Sequence, residues 1–144
     1  MRTMSDAAAI AQDEIAGVYP KVAQIIADAL DRDPHEVTLR SRLIDDLQAE
    51  SIDFLDILFR LERGFKVKLP QGKIIADARG EIPEAEFERK GVLTEVGLKR
   101  LQAYLTEVPA ERFRAPMKVA DVPRLFTVET FCKVVLRGLR SQTS

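Results

Sequence analysis

The stretch Ile44–Pro70 constrains the fold most, because it encodes a helix that is apolar around most of its circumference. Asp53, Asp56, Arg60 and Arg63 fall at i, i+3, i+7 and i+10 and make one narrow polar stripe. Ile52, Phe54, Leu55, Ile57, Leu58, Phe59 and Leu61 fill the rest. A helix that only covers a core needs an apolar arc of about 100°. This arc is wider, so part of it must meet a partner or an internal ligand as well as neighbouring helices. The pattern predicts a helix from Ser51 to Arg63, with Gly64 as its C-cap.

The rest of the chain reads as more helix. Ser5 caps an expected short helix through Ala16 that Gly17 ends, within an N-terminal extension over residues 1–17. Pro20 suits the first turn of a new helix, and Val18, Val22, Ile25, Ile26, Ala29 and Leu30 share one face until Asp33-Pro34 stops it. A polar loop over residues 31–46 is pinned by Val37, Leu39, Leu43 and Ile44. Phe65–Leu69 alternates apolar residues with Lys and is expected as an extended turn. Pro83 opens an acidic helix, Glu84–Lys90, that Gly91 ends; Thr94 caps a helix to about Glu107 with Leu98, Leu101 and Leu105 on one face. Residues 110–124 read as a loop. Thr127 caps the last helix, with Val128, Phe131, Cys132, Val135, Leu136 and Leu139 on one stripe and Lys133, Arg137 and Arg140 opposite. The expectation is a single all-α domain over residues 1–144, a helical bundle with little or no sheet.

Composition excludes several function classes. The formal net charge of −1 gives no global case for nucleic acid or a membrane surface. Charge is uneven: residues 1–39 hold 3 basic and 7 acidic side chains, residues 71–144 hold 13 and 10. Among the basic residues 112–140 aromatics are scarce and the flanks carry acids, which argues against a nucleic-acid site and for a solvated face or a docking patch. Cys132 is the single cysteine, so no intramolecular disulfide can form. No apolar run has signal-peptide character or transmembrane length, and the expected location is the cytoplasm. His35 beside Pro34 reads as a surface residue and Cys132 as a small core residue. One His and one Cys are too few soft ligands for structural zinc. Asp45, Asp46 and Glu50 lack the alternation and central Gly of a calcium loop.

Ser51 is the chemically interesting residue. It follows a cluster of carboxylates and opens the apolar helix, with no general base near it in sequence, so no nucleophile–base pair supports an enzyme. A hydroxyl at a helix start suits the attachment of an anionic group, because free backbone N–H groups and the positive end of the macrodipole favour negative charge there. Asp45, Asp46, Glu50, Asp53 and Asp56 would form an acidic collar that steers basic partners. The competing explanation is that Ser51 is simply an N-cap, in a non-catalytic interaction module whose apolar surface binds a partner protein.

The string Asp46-Leu47-Gln48-Ala49-Glu50-Ser51-Ile52, then a helix, then Phe65, Val67, Leu69 and Pro70, resembles the acyl carrier proteins, whose pattern is Asp-Leu-Gly-x-Asp-Ser-Leu before a helix, an aromatic, an alternating run and Pro. Val37-Thr38 stands at the family's expected distance before it. The resemblance covers residues 18–70 and resumes at Phe126–Leu139. It implies an acyl-carrier-like bundle, with 4′-phosphopantetheine attached covalently to Ser51 by a phosphopantetheinyl transferase using coenzyme A. An acyl chain would ride as a thioester on the cofactor's thiol, to be loaded and unloaded by acyl-loading and acyltransferase enzymes. It implies no catalytic activity in the carrier itself. The residues expected to meet partners are Asp46, Glu50, Ile52, Asp53, Asp56, Arg60 and Arg63.

The chain departs from the family in four ways. Glu50 stands for Asp and Ile52 for Leu; Gln48 replaces a Gly; the end of the helix is basic at Arg60, Arg63, Lys66 and Lys68; and residues 74–123 form an insertion before the last helix. The extended region and Cys132 also resemble a specialised subgroup that carries very long acyl chains for bacterial lipid A acylation. The insertion is expected to enlarge the bundle or cap a bigger lipid cavity, with Leu98, Leu101 and Leu105 as part of its apolar face.

Overall fold

The first helix forms because Ile15, Val22, Ala23, Ile26 and Ala27 bury one face at helical spacing. In the computed structural model, which describes residues 10–70 and 72–143, this helix, α1, spans Gln12–Leu30 without a break. The expected cap at Ser5 lies outside the described residues. The expected start at Pro20 is corrected: Pro20 sits inside α1. An interior proline costs about 3 kcal/mol, and here the turns before it are held by complete burial of Ile15 and by the Arg140–Glu14 ion pair at 2.8 Å.

Helix α2 spans Ser51–Phe65. Its end also differs from expectation. Lys66, at φ +58°, takes the left-handed cap and donates its N–H to the Glu62 carbonyl. Gly64 lies within the helix and serves packing instead: a Cβ there would stand 2.8 Å from Ile25 Cδ1. The missing side chain lets α1 and α2 approach closely, and Lys21 closes the contact by donating to the Gly64 carbonyl. Residues 66–70 then run without regular structure, as the alternating stretch suggested.

The segment between α2 and the last helix, which contains the expected insertion, is more structured than its sequence suggests. It holds α3 (Lys73–Arg79), α4 (Glu84–Phe87), a hairpin of β1 (Glu88–Arg89) and β2 (Val92–Leu93), and α5 (Glu95–Tyr104). The acidic helix expected to reach Lys90 stops at Phe87. Lys90 and Gly91 both take positive φ, +53° and +79°, which is the backbone of a two-residue type I′ hairpin turn, and Glu88 pairs with Leu93. Thr94 caps α5 by accepting from the Gly97 N–H at 2.9 Å. A Cβ on Gly97 would fall 2.0 Å from the Phe87 carbonyl oxygen, so only Gly lets α4 and α5 pack this way. The expected loop at 110–124 contains two 3-10 turns, Ala110–Arg112 and Val119–Leu125.

The last helix, α6, spans Val128–Thr143. Thr127 caps it as expected, accepting from the Thr130 N–H at 3.2 Å while its own N–H donates to Thr130 Oγ1 at 3.0 Å. The polar face of α6, opposite its apolar stripe, is partly covered. Lys133 is buried, and its ammonium lies 3.0 Å from Glu107, whose side chain is 1% exposed. Thr130 donates to the other Glu107 oxygen at 2.6 Å, and Lys133 also donates to Thr106 at 3.2 Å. Arg137 stacks over the Tyr104 ring at 4.2 Å. The insertion thus covers the side of α6 that the sequence left polar, and the buried residues of bundle and insertion belong to one hydrophobic cluster. The observed architecture is a helical bundle with a mostly helical insertion and one two-stranded hairpin.

Removing one partner of a buried pair strands the other charge. Lys133→Ala is expected to cost about 3–5 kcal/mol in urea unfolding, and the double variant Lys133→Met/Glu107→Leu to recover most of it. A single-variant loss below about 1 kcal/mol, the scale of an exposed pair, contradicts this assignment.

Candidate functional site

The loop that leads to Ser51 is built as a rigid support. Val37, Leu43, Leu47 and Ala49 are buried along it. The Leu43 N–H donates to the Phe126 carbonyl at 3.1 Å and the Val128 N–H to the Ser41 carbonyl at 3.0 Å, fastening the loop to the start of α6. Gln48 adopts φ +61°, the left-handed conformation that favours glycine. Arg32, just beyond the end of α1, holds it there, donating to the Leu47 carbonyl at 3.0 Å and to Gln48 Oε1 at 3.1 Å. The shape of the turn is therefore kept with a Gln in the glycine position.

The structure places Glu50, not Ser51, at the N-cap of α2. The Asp53 carboxylate accepts from the Glu50 N–H at 2.7 Å, and the Asp53 N–H donates to the Glu50 carbonyl at 2.9 Å. Ser51 is the first helical residue; it is exposed, and its hydroxyl is hydrogen-bonded to no other described residue. It does not act as the cap. A free hydroxyl at the positive end of a 15-residue helix is an anchor suited to an anionic group.

The carboxylates around Ser51 are largely paired. Arg42 grips Asp46 through its own N–H and its guanidinium, at 2.8, 3.1 and 2.8 Å. These hydrogen bonds hold the Asp46 carboxyl below the usual aspartate range. Asp45 faces Arg112 of the insertion at 3.2 Å, Arg42 at 3.7 Å and Arg124 at 3.8 Å. Asp56 pairs with Arg60 at 3.0 Å. The collar is therefore locally compensated by arginine, with Glu50 left exposed and free of ion pairs among the described residues. Arg63 is likewise exposed at the other end of the helix.

The wide apolar arc of α2 divides three ways. Ile57 and Leu61 enter the core. Ile52, Leu55 and Phe59 point outward, 76%, 38% and 50% exposed. Phe54 and Leu58 line a cavity of about 370 Å³ that Ser51 also borders. Phe126, Phe131 and Val134 supply its α6 side, and Phe54, Phe126 and Phe131 form an aromatic cluster with centroids 6.0–6.1 Å apart. The insertion supplies Ile74, Ile75, Val119, Ala120, Val122 and Pro123. Leu101 and Leu105, expected to extend such a cavity, are buried away from it in the insertion's own packing.

Sequence reasoning missed the wall residues at 119–123 because they lie in a short 3-10 turn with no helical period; the adjacent Ile74-Ile75 was the one available signal. Cys132 is buried, and burial, followed by the Glu129 carboxylate, pushes its thiol up to about 12, so it stays protonated near neutral pH. His35 is on the surface. Among the described residues no group of His, Cys, Asp and Glu could hold a metal ion.

A family model described as the phosphopantetheine attachment site matches residues 20–78. The chain is 35% identical over 74 residues to acyl carrier protein AcpXL of Brucella melitensis, spanning 51% of this chain and 80% of that protein. It is 38% identical over 75 residues to an acyl carrier protein of Borrelia garinii, spanning 51% and 94%. It is 46% identical over 55 residues to acyl carrier protein AcpXL of Mesorhizobium japonicum, spanning 38% and 59%.

The lowered Asp46 carboxyl fixes the sign of an acid dependence. A depressed folded pKa contributes stability above the ordinary aspartate range, and that contribution is lost as pH falls through the depressed value. Asp46→Asn is expected to be less stable than wild type at neutral pH and to converge with it in acid. Parallel pH–stability curves for the two proteins would contradict this.

Proposed function

This chain belongs to the acyl carrier protein family, and we propose that Ser51 is where it carries its prosthetic group. Acyl carrier proteins are non-catalytic, and the matched region is the one to which 4′-phosphopantetheine attaches covalently. When attached, that group supplies a terminal thiol that carries an acyl chain as a thioester. The observation that carries the assignment is the exposed, uncommitted Ser51 hydroxyl at the first residue of α2, beside an apolar cavity. A transferase can approach it, and the helix end favours the phosphodiester that would result.

The chain's own residues divide the work. The loop held by Arg32, Arg42 and Arg112 keeps Ser51 in a fixed place. Ile52, Leu55 and Phe59 offer apolar surface to loading and unloading enzymes, with Glu50, Asp53, Asp56, Arg60, Arg63 and Asp46 setting the charge around it. The cavity shelters an acyl chain from water, each buried methylene contributing about 0.8 kcal/mol.

The finer part of the reading is that this is a specialised carrier of long acyl chains for lipid biosynthesis. It is supported by the insertion, residues 74–123, which supplies six of the side chains bordering the cavity. No helix among the described residues is long and apolar enough to cross a membrane.

Incubation with coenzyme A and a broad-specificity phosphopantetheinyl transferase is expected to add the mass of one phosphopantetheinyl group, with no gain in Ser51→Ala. An unmodified wild type, under conditions that modify a control carrier, contradicts the assignment. The long-chain reading is tested with acylated forms of rising chain length. The melting temperature of wild type is expected to climb with length and then level off, and Ala120→Phe, which fills the wall, to level off at a shorter chain. Coincident plateaus would refute a chain-holding role for the insertion.

A further inference from the structure

Among the described residues lining the cavity between α2, α6 and the insertion, Ser51 and Lys73 alone carry polar side chains. Every other side chain there is aliphatic, aromatic or proline, or is absent at Gly72. An ammonium at the border of an apolar wall is costly unless it is paired or reaches water. Lys73 is the first residue of α3 and its side chain is 29% exposed. Its one ion pair among the described residues is with Asp77, a turn further on, at 3.3 Å. A partly exposed i,i+4 pair of this kind restrains a lysine only weakly. Asp77 has a second partner, the Tyr104 hydroxyl at 3.3 Å, so its carboxylate is not stranded when the ammonium swings away.

We propose that Lys73 is the counter-ion of the phosphodiester carried on Ser51, and that it positions the arm toward the cavity. The inference rests on the Ser51 reading above. A phosphodiester at Ser51 has a permanent negative charge. The α2 N-terminus supplies partial positive charge on one side, and Lys73, bordering the same cavity, supplies a full one. Lysine suits this role because its ammonium is a compact point charge on a flexible stem, able to follow a tethered phosphate as the arm moves. The pair would also hold the arm's first atoms at the cavity's edge, where an attached chain can enter rather than trail in water. Lys73 is a positioning residue in this account and takes no part in bond making.

The test uses the full chain, with and without the arm, the arm's presence being verified by intact mass. Nuclear magnetic resonance of the Lys73 side-chain methylene and ammonium groups is expected to shift between the unmodified and modified forms, with smaller changes at Lys66 and Lys68. In modified Lys73→Gln the phosphorus resonance is expected to sharpen as the phosphodiester loses its restraint, and Lys73→Arg to restore the broader line. Unshifted Lys73 resonances in the modified wild type, or a phosphorus line indifferent to Lys73→Gln, would overturn the proposal while leaving Ser51 as the attachment point. A wild type that acquires no arm would overturn the attachment reading and this proposal with it.

Discussion

The structure turns on how the segment before α6 is joined to that helix, at the buried ion pair between Lys133 and Glu107. Burying two charges is costly, and the cost is offset only when geometry is good and the remaining hydrogen-bonding capacity is used. Both conditions hold: the pair is 3.0 Å apart, and Thr130 and Thr106 take up further bonds. The pair ties the inserted segment to the last helix across a face that would otherwise be wet. Once that face is closed, the chain between Glu107 and Thr127 has a short path back to α6. The 3-10 turn Val119–Leu125 lies on that path, and its side chains complete the cavity beside Ser51.

A rigid support and a free hydroxyl are combined at the site. Three arginines from three places in the chain, Arg32 just after α1, Arg42 in the loop and Arg112 ahead of α6, fix the residues just before Ser51. Ser51 itself is left out of that network, because Glu50 and Asp53 satisfy the helix start between them. Stiffness on one side and availability on the other are what a tethering point requires, since the tether supplies the motion. The same arrangement changes the electrostatics. Asp45 and Asp46 are matched by guanidinium groups, so the uncompensated charge on this helix comes more from Glu50 and Arg63 than the count of acids in the sequence suggests.

Much of this was legible in the chain. Helix α2 was readable because its apolar residues recur at helical spacing and because its arc is too wide for one interface; the structure divides that arc among core, cavity and solvent. Thr127 announced the start of α6, and Ser51 stood out through its place after the carboxylates. What was hidden depends on contacts distant in sequence. Lys133 read as a surface residue because nothing near it in sequence reveals that Glu107 covers it. The hairpin at Lys90-Gly91 was obscured because Lys gives no sign of taking positive φ. Pro20 read as a helix start, and only the burial of Ile15 before it shows why the helix runs through. Gly64 read as a cap, whereas its role is to admit Ile25.

Residues 74–123 thus wall an apolar space that Ser51, the proposed attachment point, borders. The most direct measurement of that claim is the pattern of through-space proton contacts made by a long acyl chain on the modified full-length protein. The account predicts contacts from the chain to the methyl groups of Val119 and Val122 and to the Phe131 ring. A chain whose protons meet only water, or only the outward side chains Ile52, Leu55 and Phe59, would contradict it.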